Sequence, residues 1–284
     1  MKIIKSKPEL QKAITLLREE NKTIGFIPTM GALHQGHLSL IAFAQKNNQA
    51  VVCSIFVNPT QFNDKKDFEK YPVTLEEDIA KLTDAACDIL FLPEVSEIYP
   101  DGTAQLEAYE LGYVETVLDG ASRPGHFQGV AQVVSRLLDA VQPDDVYMGQ
   151  KDYQQCLVIK RLAELRKDTF SLHFVPTQRE PDGLAMSSRN RRLSEGQRAL
   201  ASLLYQCLVS IEAQQGTKAF AVVQKECIDL LTHKGFKPDY VALADAETLE
   251  PLTDYDPSKN MIALIAAFIG EIRLIDNLPL NSIK

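Results

Sequence analysis

The run Ala50-Val51-Val52-Cys53-Ser54-Ile55-Phe56-Val57 is apolar at almost every position. A strand with one face in water alternates apolar and polar residues, so this continuous run indicates a parallel strand covered on both faces. A second strand-like stretch, residues 23–28, precedes it. Between the two strands, Leu38, Ile41 and Ala42 recur at helical spacing. The order strand, helix, strand predicts a βαβ unit and therefore a parallel sheet.

The same alternation extends in both directions along the chain. Upstream, Leu10, Ile14 and Leu17 predict a helix that Ser6 caps, with Glu9 completing a capping box. Downstream, helices are predicted over 75–86, 130–138 and 151–166, and strands over 88–92, 145–148 and 171–175. This order predicts an α/β fold with a doubly wound, Rossmann-like parallel sheet.

A turn-rich break at residues 179–183 predicts the domain boundary. We expect a Rossmann-like domain over 1–178 and a smaller C-terminal α+β lid domain over 179–284. In the second domain, helices are predicted over 194–214, with a capping box between Ser194 and Gln197, and over 219–233. Strands are predicted over 240–243, 261–269 and 272–275.

Composition excludes several classes of protein. The 284 residues are 45% hydrophobic and 24% charged, which is typical of a globular protein, and the net charge of -8 argues against a nucleic-acid partner. The five cysteines have no CxxC spacing and are typical of reduced thiols. The longest apolar stretch, 261–269, is far shorter than the roughly 20 residues of a membrane span. We expect a cytoplasmic protein with no membrane partner.

The best candidate site follows the strand predicted over residues 23–28, because open α/β sheets bind ligands at the carboxyl ends of their strands. In residues 28–37, Pro-Thr-Met-Gly-Ala-Leu-His-Gln-Gly-His, the side chains of His34 and His37 can face one way at a helix start. Free N–H groups and the helix dipole there favour an anion such as a polyphosphate. Two alternatives are solvent-exposed histidines in a plain turn and, less favoured, a metal site.

The same residues carry a family resemblance. His34-x-Gly36-His37 after the first strand resembles the nucleotidyltransferase superfamily that includes class I aminoacyl-tRNA synthetases. The longer string 28–38 resembles the pantothenate synthetase family. Four further blocks agree in order: Phe56-Val57-Asn58-Pro59-Thr60-Gln61-Phe62, Arg123-Pro124-Gly125-His126-Phe127-x-Gly129-Val130, Gly149-x-Lys151-Asp152-x-Gln154-Gln155 and Asp182-Gly183-Leu184-Ala185-Met186-Ser187-Ser188-Arg189-Asn190.

The resemblance implies an ATP-dependent ligase that forms pantothenate from pantoate and β-alanine, releasing AMP and pyrophosphate. A pantoate carboxylate oxygen would attack the α-phosphorus of ATP, and the β-alanine amine would then displace AMP from pantoyl adenylate. Because the substrate is the nucleophile, the protein must supply alignment, positive charge and hydrogen-bond donors. Mg²⁺ is expected as cofactor because ATP chemistry usually requires the ion, and the resemblance implies a homodimer.

The resemblance further implies the roles of individual residues. The catalytic residues would be His37, as proton donor, with His34, Lys151 and Arg189. The ATP contacts would be Met30, Gly31, Ala32, Leu33, His34, Gln35, Gly36, His37, Gly149, Gln150, Lys151, Asp152, Gln178, Met186, Ser187, Ser188 and Arg189. Gln61 and Gln155 would bind pantoate, and Gln61 would also bind β-alanine. Independently of the resemblance, Asp78 is a candidate Mg²⁺ ligand, because hard cations prefer carboxylate oxygen. Weaker candidates for the pantoate pocket are Asn58 and His126, with an apolar wall of Phe62, Val130 and Val133.

Some of these roles have structural alternatives. Lys151 also suits a solvated helix start, Asp78 suits helix capping, and Ser187-Ser188-Arg189 suits a surface turn. Gln178 stands where the family commonly has an aliphatic residue near adenine, so its effect on ATP affinity is open. Two rival functions are a nucleotidyltransferase that stops at a nucleotide-linked product and a regulatory nucleotide-binding module without catalysis.

Overall fold

The computed structural model describes residues 1–63 and 68–280. The chain forms two compact units. The first contains residues 1–150 and 155–176, and the second contains residues 151–154 and the chain from Thr177 onward. The segment 151–154 therefore groups with the second unit although it directly follows a strand of the first.

The first unit is built on a parallel sheet. Its strands are β1 (Lys2–Ile4), β2 (Ile24–Thr29), β3 (Ala50–Ile55), β4 (Ile89–Phe91), β5 (Asp145–Gly149) and β6 (Ser171–Val175). They are hydrogen-bonded in the order β1-β4-β3-β2-β5-β6, and every pair is parallel. The predicted doubly wound α/β fold is confirmed. Strand β1, which no sequence pattern predicted, pairs with β4 at the edge of the sheet.

The sheet is covered on both faces. Its helices are α1 (Lys7–Glu19), α2 (Gln35–Asn47), α3 (Leu75–Asp84), α4 (Val95–Ile98), α5 (Asp119–Ser122), α6 (His126–Val141) and α7 (Tyr153–Arg166). In β3, Val52 belongs to one buried apolar cluster with Phe26, and its neighbours Val51 and Cys53 belong to another with Ile27. Because adjacent residues of a strand point to opposite faces, β3 is buried on both, as its apolar run predicted.

The strand order identifies where a ligand can bind. From β2 the chain continues to β3 on one side, and it later returns to β5 on the other side. The connections therefore diverge at the carboxyl ends of β2 and β5. Such a topological switch point opens a crevice in doubly wound sheets.

The start of α1 differs from its prediction. The side chain of Ser6 makes no capping hydrogen bond. Instead, the backbone N–H of Lys7 donates to Oε1 of Glu97 at 2.6 Å, an acceptor 90 positions along the chain. The predicted cap and its box with Glu9 are wrong because this distant carboxylate satisfies the helix end.

The second unit contains an antiparallel sheet of β7 (Phe236–Asp245), β8 (Met261–Ile269) and β9 (Ile272–Leu280). Its helices are α8 (Glu195–Ala201), α9 (Leu203–Ala213) and α10 (Phe220–His233). The capping box of Ser194 and Gln197 is confirmed, whereas the helix predicted over 194–214 is interrupted at Ser202. Across residues 1–63 and 68–280, no helix combines the length and apolar character needed to cross a membrane.

Candidate active site

The loop after β2 has an unusual backbone that brings its N–H groups together. Gly31 and Ala32 have φ values of 81° and 50°, in the left-handed region. A Cβ on Gly31 would lie 3.0 Å from the Ile55 side chain and 3.2 Å from an Asp78 carboxylate oxygen, so glycine is needed for space as well as conformation. The loop then leads into His34, the N-cap of α2.

His34 and His37 hold one another at the start of α2. Nδ1 of His34 accepts a hydrogen bond from the Gly36 N–H at 3.1 Å, and the His34 N–H donates to Nδ1 of His37 at 3.3 Å. The ring centroids are 4.1 Å apart. Because both Nδ1 atoms accept hydrogen bonds, each neutral ring carries its proton on Nε2. The two half-buried imidazoles therefore offer two Nε2–H donors.

The turn after β3 fixes the orientation of two amide side chains. Asn58 is fully buried; its Nδ2 donates to the Gly129 carbonyl at 3.0 Å, and its Oδ1 accepts from the Tyr99 hydroxyl at 2.8 Å. The Gly129 carbonyl can only accept, so the atom of Asn58 that faces it must be the NH₂ nitrogen, Nδ2. The same Nδ2 therefore donates to Oε1 of Gln61, at 3.1 Å. Gln61 thus directs its Nε2 towards the Met30 sulfur, at 3.0 Å. This amide offers N–H donors, which suit an oxygen acceptor.

Helix α6 packs directly against this turn. A Cβ on Gly129 would lie 2.5 Å from the Thr60 carbonyl oxygen and 2.8 Å from Cα of Gln61, so only glycine permits the contact. Nδ1 of the buried His126 lies 2.7 Å from the Gln61 carbonyl and must donate to it, while its Nε2 accepts from Arg123 at 2.9 Å. Asn58 and His126 thereby hold Gln61 from two sides.

Asp78 has partners unlike those of a metal ligand. It is 1% exposed, and its Oδ2 and Oδ1 accept from the N–H groups of Ala32 at 2.8 Å and Leu33 at 2.7 Å. The Thr74 hydroxyl also donates to Oδ1, at 3.2 Å. In the described part of the chain, no group of three or more His, Cys, Asp or Glu side chains could hold a metal ion. These contacts favour a structural role in the loop, rather than metal binding or capping of its own helix.

Several predicted ATP contacts lie in or next to residues 150–152, which directly follow β5. Gly149 ends β5, and Gln150, Lys151 and Asp152 form a 3₁₀ turn. Nζ of Lys151 lies 3.6 Å from Oδ1 of Asp152, and the Lys151 side chain is 17% exposed. Within the second unit, Nδ2 of the buried Asn277 on β9 donates to the Lys151 carbonyl at 2.8 Å. Gln155, in the first turn of α7, is half-buried.

The remaining predicted ATP contacts lie in a short hairpin of the second unit and the turn after it. The Met186 N–H donates to the Gln178 carbonyl at 3.0 Å, so these two predicted residues are neighbours. Ser187 then caps a 3₁₀ turn, its hydroxyl accepting from the Arg189 N–H at 3.3 Å, and Ser188 is buried. The backbone of the turn that carries Arg189 is held in place by these contacts.

The sequence of this chain matches a known protein family over nearly its whole length. The sequence model of pantoate–β-alanine ligase matches residues 2–279. The pantothenate synthetase of Pseudomonas fluorescens (strain Pf0-1) is 46% identical over 283 residues, covering 99% of this chain and 98% of that protein. This chain belongs to the pantoate–β-alanine ligase family. The resemblance seen in the five motifs is confirmed.

Solved structures of the pantoate–β-alanine ligase family match the fold over nearly the whole chain. The pantothenate synthetase of Thermus thermophilus aligns with a TM-score of 0.91 at 42% identity, covering 98% of this chain and 99% of that one. The pantoate–β-alanine ligase of Francisella tularensis, crystallised with β-γ ATP and β-alanine, aligns with a TM-score of 0.84 at 36% identity, covering 98% and 97%.

Three residues that no sequence motif indicated form hydrogen bonds with residues of the predicted site. Lys81 donates to the Leu33 carbonyl at 2.8 Å, Tyr99 donates to Asn58, and Asn277 donates to the Lys151 carbonyl. None of them lies in a quoted motif. Gly129 does lie in a motif, and its spacing from His126 was a signal that could have indicated a close helix contact.

Proposed function

We propose that this chain condenses pantoate with β-alanine, using ATP, to give pantothenate, AMP and pyrophosphate. A pantoate carboxylate oxygen attacks the α-phosphorus as the bond to pyrophosphate breaks, giving pantoyl adenylate. The β-alanine amine then attacks the acyl carbon, AMP leaves, and the amine loses a proton. The supporting observation is the pair of Nε2–H donors of His34 and His37 at the carboxyl end of β2, in a chain of this family.

The protein's part in the first step is electrostatic. The Nε2–H groups of His34 and His37 donate hydrogen bonds to phosphate oxygens that gain negative charge as pyrophosphate departs, and the hydrogen bond from His37, the predicted proton donor, stabilises the leaving group. Lys151 and Arg189 add positive charge, and Ser187 and Ser188 add hydroxyl donors. The backbone from Met30 to Leu33, with Gln35 and Gly36, and the segments at 149–152, 178 and 186 complete the proposed ATP contacts.

Pantoate recognition is assigned to Gln61 and Gln155. The Nε2 of Gln61 donates to a pantoate oxygen, since Asn58 already occupies its Oε1. Gln61 also contacts β-alanine in this proposal. The Met30 thioether, 3.0 Å from that Nε2, provides an apolar neighbour for the methyl groups of pantoate.

Replacing Gln61 with glutamate tests whether the side-chain amide of Gln61 donates a hydrogen bond to pantoate. The Gln61→Glu side chain keeps an acceptor for Asn58 but turns a carboxylate oxygen towards the pantoate acceptor, so we expect the pantoate KM to rise about 10- to 100-fold. The ATP KM should change little. Steady-state kinetics measure both, and Gln206→Glu, on the exposed face of α9, is the charge-matched control. An unchanged pantoate KM contradicts the assigned orientation.

Mg²⁺ is proposed to enter with ATP rather than through a preformed protein site. Asp78 is 1% exposed, and its carboxylate oxygens accept from two backbone N–H groups and the Thr74 hydroxyl, which favours a structural role over metal binding. Phosphate oxygens are suitable ligands for the ion. No catalytic step is assigned through the metal.

The turnover assay separates this proposal from its rivals. Purified protein should release AMP and pyrophosphate only with both pantoate and ATP, and β-alanine should convert the adenylate to pantothenate. A nucleotidyltransferase that stops early would leave the adenylate unchanged when β-alanine is added. A regulatory binder would bind ATP without turnover. AMP release with another carboxylate, and none with pantoate, would contradict the substrate assignment.

Location and assembly are part of the proposal. The side chains of Cys53, Cys87, Cys156, Cys207 and Cys227 are buried and form no disulfide, which is in keeping with a reducing cytoplasm. The family resemblance is the basis for a homodimer. Light scattering at enzyme concentrations used for the assay measures the oligomeric state directly.

A further inference from the structure

Helix α3 binds three consecutive peptide groups of the loop that leads to the histidines. Asp78 accepts from the N–H groups of Ala32 and Leu33, at 2.8 and 2.7 Å, which belong to the peptides 31–32 and 32–33. One turn further along α3, Nζ of Lys81 donates to the Leu33 carbonyl at 2.8 Å. That carbonyl belongs to the next peptide, 33–34.

The last of these peptides connects α3 to His37. A trans peptide is planar, with its C=O and N–H pointing in opposite directions. Lys81 holds the carbonyl of the Leu33–His34 peptide, so the His34 N–H is fixed in the opposite direction within the peptide plane. In that direction it donates to Nδ1 of His37 at 3.3 Å. The direction of this N–H sets both the ring orientation of His37 and the nitrogen that carries its proton.

The burial of Asp78 explains why its carboxylate binds the loop N–H groups. Its side chain is 1% exposed, so its carboxylate needs donors within the protein, and those donors include the two loop N–H groups. The left-handed φ values of Gly31 and Ala32 turn these N–H groups towards the same carboxylate. No residue of α3 occurs in the family blocks quoted from the sequence.

We infer that Asp78 and Lys81 are positioning residues for His37. They fix the loop peptides 31–34, and through the Leu33–His34 peptide they orient the His37 ring and keep its proton on Nε2. This inference deepens the proposed function, because it rests on His37 acting in adenylation. It also gives Asp78 a role that requires no bound metal.

Two variants test the inference separately. Asp78→Asn replaces one acceptor oxygen with an NH₂ group that cannot accept from a loop N–H, and Glu76→Gln is its control, removing a charge from the exposed side of the same helix turn. Lys81→Met keeps the side-chain stem but loses the donor to Leu33. Glu77→Gln is its control, because Glu77 is the ion-pair partner of Lys81, at 3.5 Å. Lys81→Met decides the matter if Asp78→Asn does not fold.

The first readout compares the rates of the two half-reactions, adenylation of pantoate and transfer to β-alanine. We expect both variants to slow pantoate-dependent ATP–pyrophosphate exchange about 10- to 100-fold, because small misplacements of catalytic groups have effects of this size. Conversion of supplied pantoyl adenylate by β-alanine should stay within about twofold, since adenylation is already complete. The Mg²⁺ concentration for half-maximal rate should match the control. Exchange rates equal to the controls, or a Mg²⁺ requirement raised in Asp78→Asn alone, would overturn the inference.

The second readout does not depend on activity. Nitrogen NMR of histidine-labelled protein distinguishes a protonated from an unprotonated ring nitrogen. His37 should show an unprotonated Nδ1 in the parent and controls, and a mixture of tautomers in Lys81→Met. An unchanged His37 spectrum overturns the inference even in a protein with normal turnover. If the parent lacks pantoate-dependent exchange, the proposed function fails, while the spectrum still tests the positioning.

Discussion

Replacing His37 with alanine is expected to slow pantoate-dependent adenylation by about 10²- to 10⁴-fold, the usual contribution of a positioned acid or base. The half-buried ring provides an Nε2–H donor because its Nδ1 is occupied by the His34 N–H at 3.3 Å. Alanine removes that donor and leaves the His34 N–H without its partner. The measurement is ATP–pyrophosphate exchange at saturating pantoate.

The fold of His37→Ala should survive, because the lost N-terminal hydrogen bond of α2 is worth about 1 kcal/mol. His233→Ala, at the exposed end of α10, is the matched control and should keep full activity. His37→Gln should recover part of the rate, since an amide can accept from the His34 N–H and still donate with its NH₂ group. An adenylation rate of His37→Ala equal to that of His233→Ala would remove His37 from the mechanism.

The fold could be predicted where local pattern and tertiary burial agree. The apolar run at 50–57 predicted a strand covered on both faces, and β3 contributes residues to two buried clusters. Local pattern could not show that Ser6 does not cap α1, because the group that accepts from the helix start is Glu97, in a distant part of the chain. The short strand Lys2–Ile4 carries too few residues to show a period.

The candidate site shows the same limit more clearly. Motifs identified His34, His37 and Gln61, since each motif is a continuous stretch of sequence. The residues that orient them are not contiguous with them: Lys81 contacts Leu33 across 48 positions, and Asn277 contacts Lys151 across 126. A hydrogen bond between such positions depends on tertiary packing, which no local spacing specifies. The catalytic roles themselves stay predictions until the variants are measured.

Arg179→Met should destabilise the second unit by about 3–5 kcal/mol, the cost of breaking one side of a buried ion pair. The guanidinium of Arg179 holds both oxygens of Asp276 on β9, at 2.6 and 3.0 Å, and Asp276 is 4% exposed. Burial raises the pKa of Asp276, and Arg179 opposes that rise. Methionine fills the space of the side chain but leaves the carboxylate without its cation. Urea unfolding and hydrogen exchange of the β9 amides measure the loss.

The stability lost in Arg179→Met should depend on pH. Without Arg179, burial raises the folded-state pKa of Asp276 further above its unfolded value, so the folded variant binds the proton more tightly. The stability of Arg179→Met should therefore fall as pH rises through that pKa, and its deficit against the parent should be smaller at about pH 5 than at about pH 8. Arg198→Met is the matched control, because Arg198 pairs with Asp182 in the same unit but both side chains are more than a third exposed, at 35% and 39%. Its loss should stay near about 0–1 kcal/mol.

The same substitution connects stability with catalysis. Arg179 also donates to the Gly183 carbonyl at 3.1 Å, within the hairpin that leads to Ser187, and Asn277, the neighbour of Asp276, holds the Lys151 carbonyl. Loss of the ion pair should therefore loosen both proposed ATP-binding segments of this unit and raise the ATP KM more than the pantoate KM. A loss of stability as small as that of Arg198→Met, or one independent of pH, would show that Asp276 does not depend on Arg179 for its charge.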